Sequence, residues 1–294
     1  MRKKFKEVVL RIAGRDPKAV LILADISVYL FNEFKEKYPQ RFFNMGICEN
    51  ALVSVAAGLS SQGYHPFLHS IAPFVTEKSY EQIKLDMCYN KFGGNILTCG
   101  ASFDYAWDGP SHYCYTDLAI LRLLPGMEVI QPGSVAELEA LLESQYNNGN
   151  PTYFRLSDYP HTIDIGKVVF GRAHVLKNQN AEVTVMTAGP LLGNVLEACK
   201  DLKVNLVYFH TIKPIDKDVI RHFQDTRIVV IHDAFGLYEA VNELPGLSTR
   251  YHGLPDGFCA HYGTHVDMRR SLGLDVFGIR ACIQDYVGKG EKKS

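Results

Sequence analysis

Apolar and polar positions along the first half of the chain predict strands and helices in alternation. Ala19–Ala24 is a short, continuous apolar run that ends at Asp25, which is typical of a strand buried on both faces of a parallel sheet. Phe5–Ile12, which precedes it, has its apolar residues at helical spacing. The alternation continues to a strand at Thr152–Leu156 and predicts a mostly parallel sheet with helices on both faces.

A second alternation follows a loop-like segment at residues 161–170. Its strands are predicted at 182–187, 204–209 and 227–232. We therefore expect an α/β protein with two doubly wound, mostly parallel sheet domains, residues 1–160 and 171–294, joined by a linker at 161–170. The polar tail, Gly288–Ser294, is expected to be disordered.

Composition excludes several functional classes. The 294 residues carry a formal net charge of −1, so the chain lacks the basic surface with which proteins bind nucleic acid or anionic membranes. The seven cysteines form no CxxC pair, which indicates reduced thiols, and no apolar run reaches the length of a membrane span. Motifs for a dinucleotide site, a P-loop, a serine-hydrolase elbow and an HExxH zinc site are absent. We expect a cytoplasmic protein.

One acidic residue, Glu49, stands at the start of a helix of small and apolar residues, in the segment Gly46-Ile47-Cys48-Glu49-Asn50. A carboxylate buried in such a setting costs several kcal/mol unless it is protonated, paired or bonded to a ligand. The alternative interpretation is a carboxylate that the helix dipole favours at an N-terminus. The motifs that follow along the chain favour the ligand interpretation.

Several short motifs occur in an order and spacing that resemble the C-terminal half of transketolases and, more distantly, deoxyxylulose-phosphate synthases. They are Asp25, Arg41-Phe42-Phe43-Asn44, Gly46-Ile47-Cys48-Glu49, Phe74, Tyr80-Glu81-Gln82-Ile83, Asp108-Gly109-Pro110-Ser111-His112, Leu121-Arg122, Pro125-Gly126-Met127 and Ile130-Gln131-Pro132. Thr187-Ala188-Gly189-Pro190 and Ile212-Lys213-Pro214-Ile215-Asp216 extend the resemblance to the later half. The resemblance implies a pyrimidine-binding domain for thiamine diphosphate at 1–160 and a transketolase C-terminal domain at 171–294.

The resemblance also implies residues for the cofactor. Glu49 matches the glutamate that hydrogen-bonds the aminopyrimidine ring and assists proton loss from the thiazolium carbon. Phe74 matches a ring that packs on the aminopyrimidine, although core packing would also explain it. Asp25, at the carboxyl end of the first strand, and Ile71 are expected on the cofactor side of the sheet.

Asp108 and His112 match a pair that contacts the donor sugar's hydroxyls in transketolases. Asp108-Gly109-Pro110 alone would be interpreted as a turn, because Gly and Pro after Asp are common there. Within the family order we expect Glu49, Asp108 and His112 to be catalytic.

The Gly-Asp-Gly motif with which thiamine enzymes bind a divalent cation is absent from this chain. The resemblance therefore implies no metal site here, and a separate subunit, equivalent to the N-terminal half of transketolase, that holds the diphosphate with Mg²⁺ or Ca²⁺. It implies an α2β2 assembly whose active site forms at the interface.

The substrate positions depart from the family pattern. Arg2 matches an arginine that grips the sugar phosphate, whereas Tyr29, Gly100 and Asp158 stand at the other three positions. A carboxylate at 158 would repel a phosphate, unless Arg155 substitutes. We expect Arg2 and Arg155 to bind substrate, and a substrate that is non-standard or not phosphorylated.

The expected function is transfer of a two-carbon ketol unit from a ketose to an aldehyde by a split, transketolase-like enzyme. Two alternatives remain at this point. One is a thiamine-dependent carboligase that decarboxylates a 2-oxoacid, and the other is a non-catalytic binding or regulatory module.

Overall fold

The computed structural model describes residues 1–291, which contain twelve strands and twelve α-helices. The strands are β1 (Ala19–Leu23), β2 (Phe42–Asn44), β3 (His65–Ile71), β4 (Gly94–Cys99), β5 (Glu128–Ile130), β6 (Pro151–Arg155), β7 (His174–Lys177), β8 (Val183–Ala188), β9 (Asn205–Phe209), β10 (Thr211–Lys213), β11 (Arg227–Ile231) and β12 (Ser248–His252). The helices are α1 (Arg2–Arg15), α2 (Asn32–Lys37), α3 (Glu49–Ser61), α4 (Ala72–Thr76), α5 (Tyr80–Gln82), α6 (Asp117–Arg122), α7 (Val135–Gln145), α8 (Leu192–Ala198), α9 (Lys217–His222), α10 (Leu237–Val241), α11 (His265–Ser271) and α12 (Val276–Glu291).

The strands form two sheets. The first has the order β10-β5-β6-β4-β3-β1-β2 and is parallel except for β10, which pairs antiparallel with β5. The second has the order β12-β11-β8-β9-β7 and is parallel except for β7, which pairs antiparallel with β9. Two mostly parallel sheets with helical connections confirm the α/β fold class that the apolar pattern predicts. Strand β10 follows β9 of the second sheet in the chain but pairs with β5 of the first sheet, and so connects the two sheets.

Helix α3 begins at Glu49, where the sequence places a helix start. Its apolar residues Leu52, Val53, Ala56 and Ala57 are spaced to face one side and are buried against the first sheet. Their burial fixes the helix beside β1 and β3, and so places its N-terminus near the end of β3.

Helix α12 continues through Gly288 to Glu291, contrary to the expectation of disorder from Gly288 onward. Ile279 and Ile283 are fully buried, and Arg227 donates to the main-chain oxygens of Tyr286 and Val287. These contacts order the helix close to its end. Residues 292–294 of the predicted tail lie outside the described residues.

Within residues 1–291, no helix combines the length and apolar character needed to cross a membrane.

Candidate functional site

The carboxyl edge of the first sheet gathers the polar residues that follow its strands, because parallel strands all end at the same edge. Asp25 follows β1 with a left-handed backbone (φ 55°). Its main-chain nitrogen donates to Asn44 Oδ1 at 3.0 Å, and Asn44 Nδ2 donates to Asp25 Oδ1 at 2.9 Å. Asn44, the last residue of β2, therefore holds Asp25 in a defined position at the edge.

Glu49 is 1% exposed at the first turn of α3, which makes its carboxylate the buried acid that the sequence predicts. Lys78 Nζ lies 2.9 Å from Glu49 Oε2, and the Lys78 side chain is 53% exposed. Ser70 Oγ, near the end of β3, donates to Oε1 over a long 3.4 Å. One carboxylate oxygen is thus held by a cation, while the other has a weak partner and can accept a hydrogen bond from a ligand.

The turn that contains Asp108 and His112 closes beside Phe74 of α4. The Phe74 and His112 rings meet edge to face, with centroids 5.1 Å apart. Asp108 ends a short 3₁₀ helix and is exposed, and the His112 main-chain nitrogen donates to Gly109 O at 2.9 Å. Ser111 Oγ lies 3.0 Å from His112 Nδ1, which leaves Nε2 as the ring atom available to a ligand. Phe74 and His112 are therefore brought together, with Asp108 in the same turn.

Arg2 forms an ion pair with Asp158, in which Arg2 Nη2 and Asp158 Oδ2 are 3.1 Å apart. The two residues line a cavity of about 530 Å³ together with Lys3, Lys4 and Ser27. The arginine is therefore neutralised by a carboxylate of the same chain.

Arg155 does not reach that cavity. It is 1% exposed, and its guanidinium donates to Asp117 Oδ2 at 2.8 Å, to Ser102 Oγ at 3.0 Å and to the Cys114 main-chain oxygen. Asp233 Oδ1 lies 4.0 Å away on the other side. Because every nitrogen of the guanidinium faces a buried acceptor, none is left for a substrate. The expectation that Arg155 binds substrate is therefore replaced by a structural role.

A family model described as the transketolase pyrimidine-binding domain matches residues 1–159, more than half of the chain. The chain belongs to the transketolase family. The sequence prediction of that family is thereby confirmed.

Three relatives show how the transketolase family divides this region between chains. The chain is 28% identical to a subunit of the apulose-4-phosphate transketolase of Phocaeicola vulgatus, and the match covers 98% of this chain and 97% of that one. It is 31% identical to the 1-deoxy-D-xylulose-5-phosphate synthase of Nitratidesulfovibrio vulgaris, but spans 47% of that protein. A solved structure described as a split-gene transketolase, in the form of an inactive beta4 tetramer, has 28% identity and a TM-score of 0.85 over 98% of this chain and 97% of that chain. Relatives of the same length thus occur as separate transketolase subunits.

Two contacts at the candidate site could not be predicted from the sequence. Lys78 lies 29 residues after Glu49, in the turn between α4 and α5, at no helical or strand spacing from it. The packing of both helices against α3 brings the two residues together. Asn44 belongs to the motif before the Gly46 turn, but its bond to Asp25 depends on the pairing of β1 with β2. Sequence spacing offers no signal for either contact.

Groups of three or more His, Cys, Asp or Glu side chains that could hold a metal ion are absent from the described range, residues 1–291.

The buried carboxyl of Asp104 makes the stability of the folded chain depend on pH. Burial raises the pKa of Asp104 to about 7, against hydrogen bonds from Ser157 Oγ and the Asp158 main-chain nitrogen that favour the ionised form. Between its ordinary pKa of 3.8 and about 7, the folded chain holds a proton that the unfolded chain has released. The protonated Asp104 carboxyl therefore makes its full contribution to the free energy of unfolding below the ordinary pKa, and this contribution is lost as the pH rises toward 7.

We expect the Asp104 contribution to the free energy of unfolding to fall with rising pH in this window by at most about 1.4 kcal/mol per pH unit. Asp104→Asn removes that contribution, so the difference in free energy of unfolding between the two proteins changes with pH by the same amount. Urea unfolding of both proteins at pH 5, 6, 7 and 8 measures it. Parallel curves for the two proteins would contradict the assignment to Asp104.

Proposed function

We propose that this chain is the pyrimidine-binding subunit of a split, thiamine-diphosphate-dependent transketolase that transfers a two-carbon ketol unit from a ketose to an aldehyde. The observation that carries the proposal is the buried Glu49 carboxylate at the start of α3, with one oxygen weakly partnered. The match to a separate transketolase subunit over nearly the full length of both chains supports it. We assign residues 1–160 to the pyrimidine-binding domain, 161–170 to the linker and 171–294 to the C-terminal domain.

Glu49 and Phe74 fit the aminopyrimidine end of the cofactor by their chemistry. A buried carboxylate oxygen with a weak partner is an acceptor for a ring N–H, and the half-buried Phe74 ring offers an apolar face for stacking. When bound, thiamine diphosphate supplies a carbon nucleophile after its thiazolium carbon loses a proton. Glu49 Oε1 is the atom of this chain that holds or releases a proton, and Lys78 fixes the other oxygen. Asp25 and Ile71 lie at the same edge of the sheet, after β1 and at the end of β3.

Asp108 and His112 bind the donor sugar in this proposal. The Asp108 carboxylate is exposed and can accept hydrogen bonds from sugar hydroxyls. His112 Nε2 is free to donate or accept a hydrogen bond, because Ser111 Oγ pairs with Nδ1. The Phe74 ring holds the imidazole edge to face and so limits its rotation. These groups orient the donor's hydroxyls beside the reacting carbon and assist proton transfer there.

The partner in this proposal is a diphosphate-binding subunit that also holds Mg²⁺ or Ca²⁺, and the complex is an α2β2 assembly located in the cytoplasm. The solved relative described as an inactive beta4 tetramer supports self-association of such subunits and the need for a partner. The metal belongs to the partner because this chain has no Gly-Asp-Gly motif.

The substrates lack the terminal phosphate in this proposal, because Asp158 neutralises Arg2 at 3.1 Å. At about 4 Å, a carboxylate and a phosphate repel each other by roughly 1 to 4 kcal/mol, depending on the local dielectric. The test uses the complex with its partner and a matched pair of ketose donors, one phosphorylated and one not. We expect at least about a tenfold higher kcat/KM for the unphosphorylated donor, and a preference for the phosphorylated donor would contradict this part of the proposal.

The two alternatives are not favoured. The Phocaeicola vulgatus transketolase subunit matches this chain over nearly its whole length, whereas the synthases match over about half of theirs. A non-catalytic module would have no need to keep a buried acid beside an aromatic ring and a histidine turn. Absence of ketol transfer from any ketose by the assembled complex, with pyruvate decarboxylation in its place, would overturn the proposal in favour of the carboligase.

A further inference from the structure

Residues from the C-terminal half of the chain pack against the turn that contains Asp108 and His112. The contact is a small apolar cluster. Phe103, Ala106 and Tyr113 contribute to it from the segment around the turn. Leu254, Cys259 and Met268 contribute to the same cluster from the C-terminal half. We call residues 254–264 the strap, since they cross from the end of β12 over this turn to α11.

The strap contacts the turn at its most constrained point. Gly109 has a φ of +80°, and a Cβ built there would lie 2.2 Å from Cε1 of Tyr262, so the Tyr262 ring rests directly on the glycine backbone. Tyr113, one residue after His112, donates its hydroxyl proton to the main-chain oxygen of His261. The turn thus has a contact with the strap on each side of His112.

The far end of the strap is anchored firmly. Thr264 caps α11 through reciprocal hydrogen bonds with Asp267, and His265 stacks on Tyr159 with ring centroids 4.1 Å apart. Arg269 of the same helix bonds Asp233 at 2.9 Å. Because these contacts fix the end of the strap at α11, the strap can restrain the turn that it contacts.

We propose that the strap positions the Asp108–His112 turn for the donor sugar, with Tyr262 as the positioning residue. This inference rests on the proposed function, because it assigns the C-terminal half a part in holding the donor-binding residues. Tyr262 is 68% exposed, so its ring adds little to the core, and its close contact is with the Gly109 backbone. Loss of the ring frees the turn, and small displacements of positioned groups have large effects on rate.

The first test does not depend on activity. Trp107 is the single tryptophan of the chain, precedes Asp108 directly and is 56% exposed, so its fluorescence reports on the turn. In Tyr262→Ala we expect a red-shifted emission and stronger acrylamide quenching, with both restored in Tyr262→Phe. His261→Ala is the matched control, because His261 is exposed and contacts the turn through a main-chain oxygen that alanine retains.

The second test uses the complex with its partner subunit. We expect Tyr262→Ala to lower the donor kcat/KM by about 10- to 100-fold while the Kd for thiamine diphosphate stays unchanged, and Tyr262→Phe to recover most of the loss. Unchanged Trp107 quenching in Tyr262→Ala would overturn the inference. So would an equal change in His261→Ala, or a lowered Tm with unchanged kcat/KM. If no variant or wild-type complex transfers ketol units, the proposed function fails, and the quenching result alone decides whether the strap holds the turn.

Discussion

Replacement of Glu49 by glutamine is expected to lower the kcat of the assembled enzyme by about 100- to 10,000-fold, the usual contribution of a positioned proton-transfer group. Glutamine keeps the size of the side chain and can still fill the site at the start of α3. Its amide neither holds nor releases a proton at the position of Oε1, and it cannot form the ion pair with Lys78. The chemistry is therefore lost while the packing remains.

Single-turnover measurements with the complex give the rate, and circular dichroism of the variant checks its folding. Glu81→Gln is the matched control, because Glu81 is an exposed glutamate of the short helix α5. We expect the control to retain wild-type kcat. A kcat within a few fold of wild type in Glu49→Gln would show that Glu49 does not carry the proton.

Replacement of Arg155 by methionine is expected to lower the free energy of unfolding by about 3–5 kcal/mol, the cost of breaking a buried ion pair from one side. Methionine approximates the volume of the aliphatic part of the Arg155 side chain, but it leaves the fully buried Asp117 carboxylate without its cation. Ser102 Oγ and the Cys114 main-chain oxygen also lose their donor. Asp233, on the far side, loses its second cation.

Denaturant unfolding measures this loss, and Arg250→Met is the matched control. Arg250 pairs with Asp285 on the surface, with both side chains more than a third exposed, so its loss is expected to cost about 0–1 kcal/mol. A loss of activity in Arg155→Met with unchanged stability would contradict the structural role and return Arg155 to the substrate site.

The alternating apolar pattern is sufficient to predict the fold class. Strands such as Ala19–Leu23 are buried on both faces, so their apolar runs are visible in the sequence without any knowledge of their neighbours. The helix start at Glu49 is predictable for a similar local reason, since a short apolar face at helical spacing follows it.

Contacts between distant residues cannot be predicted from such patterns. Arg155 lies 38 residues from Asp117 and 78 from Asp233, and its burial depends on three elements that meet only in the folded chain. Strand β10 has three residues, and its antiparallel pairing with β5 leaves no periodic signal. The contact of Tyr262 with Gly109 also joins the two halves of the chain.

Calorimetry can show whether this chain shares a thiamine diphosphate site with a partner subunit. Thiamine diphosphate with Mg²⁺ is titrated into this chain, into the partner and into their complex, and then into the complex that contains Glu49→Gln. We expect saturable binding by the complex that is tighter than binding by either chain alone and is weakened in the variant. Equal binding by the partner alone and by the complex, unaffected by Glu49→Gln, would contradict it.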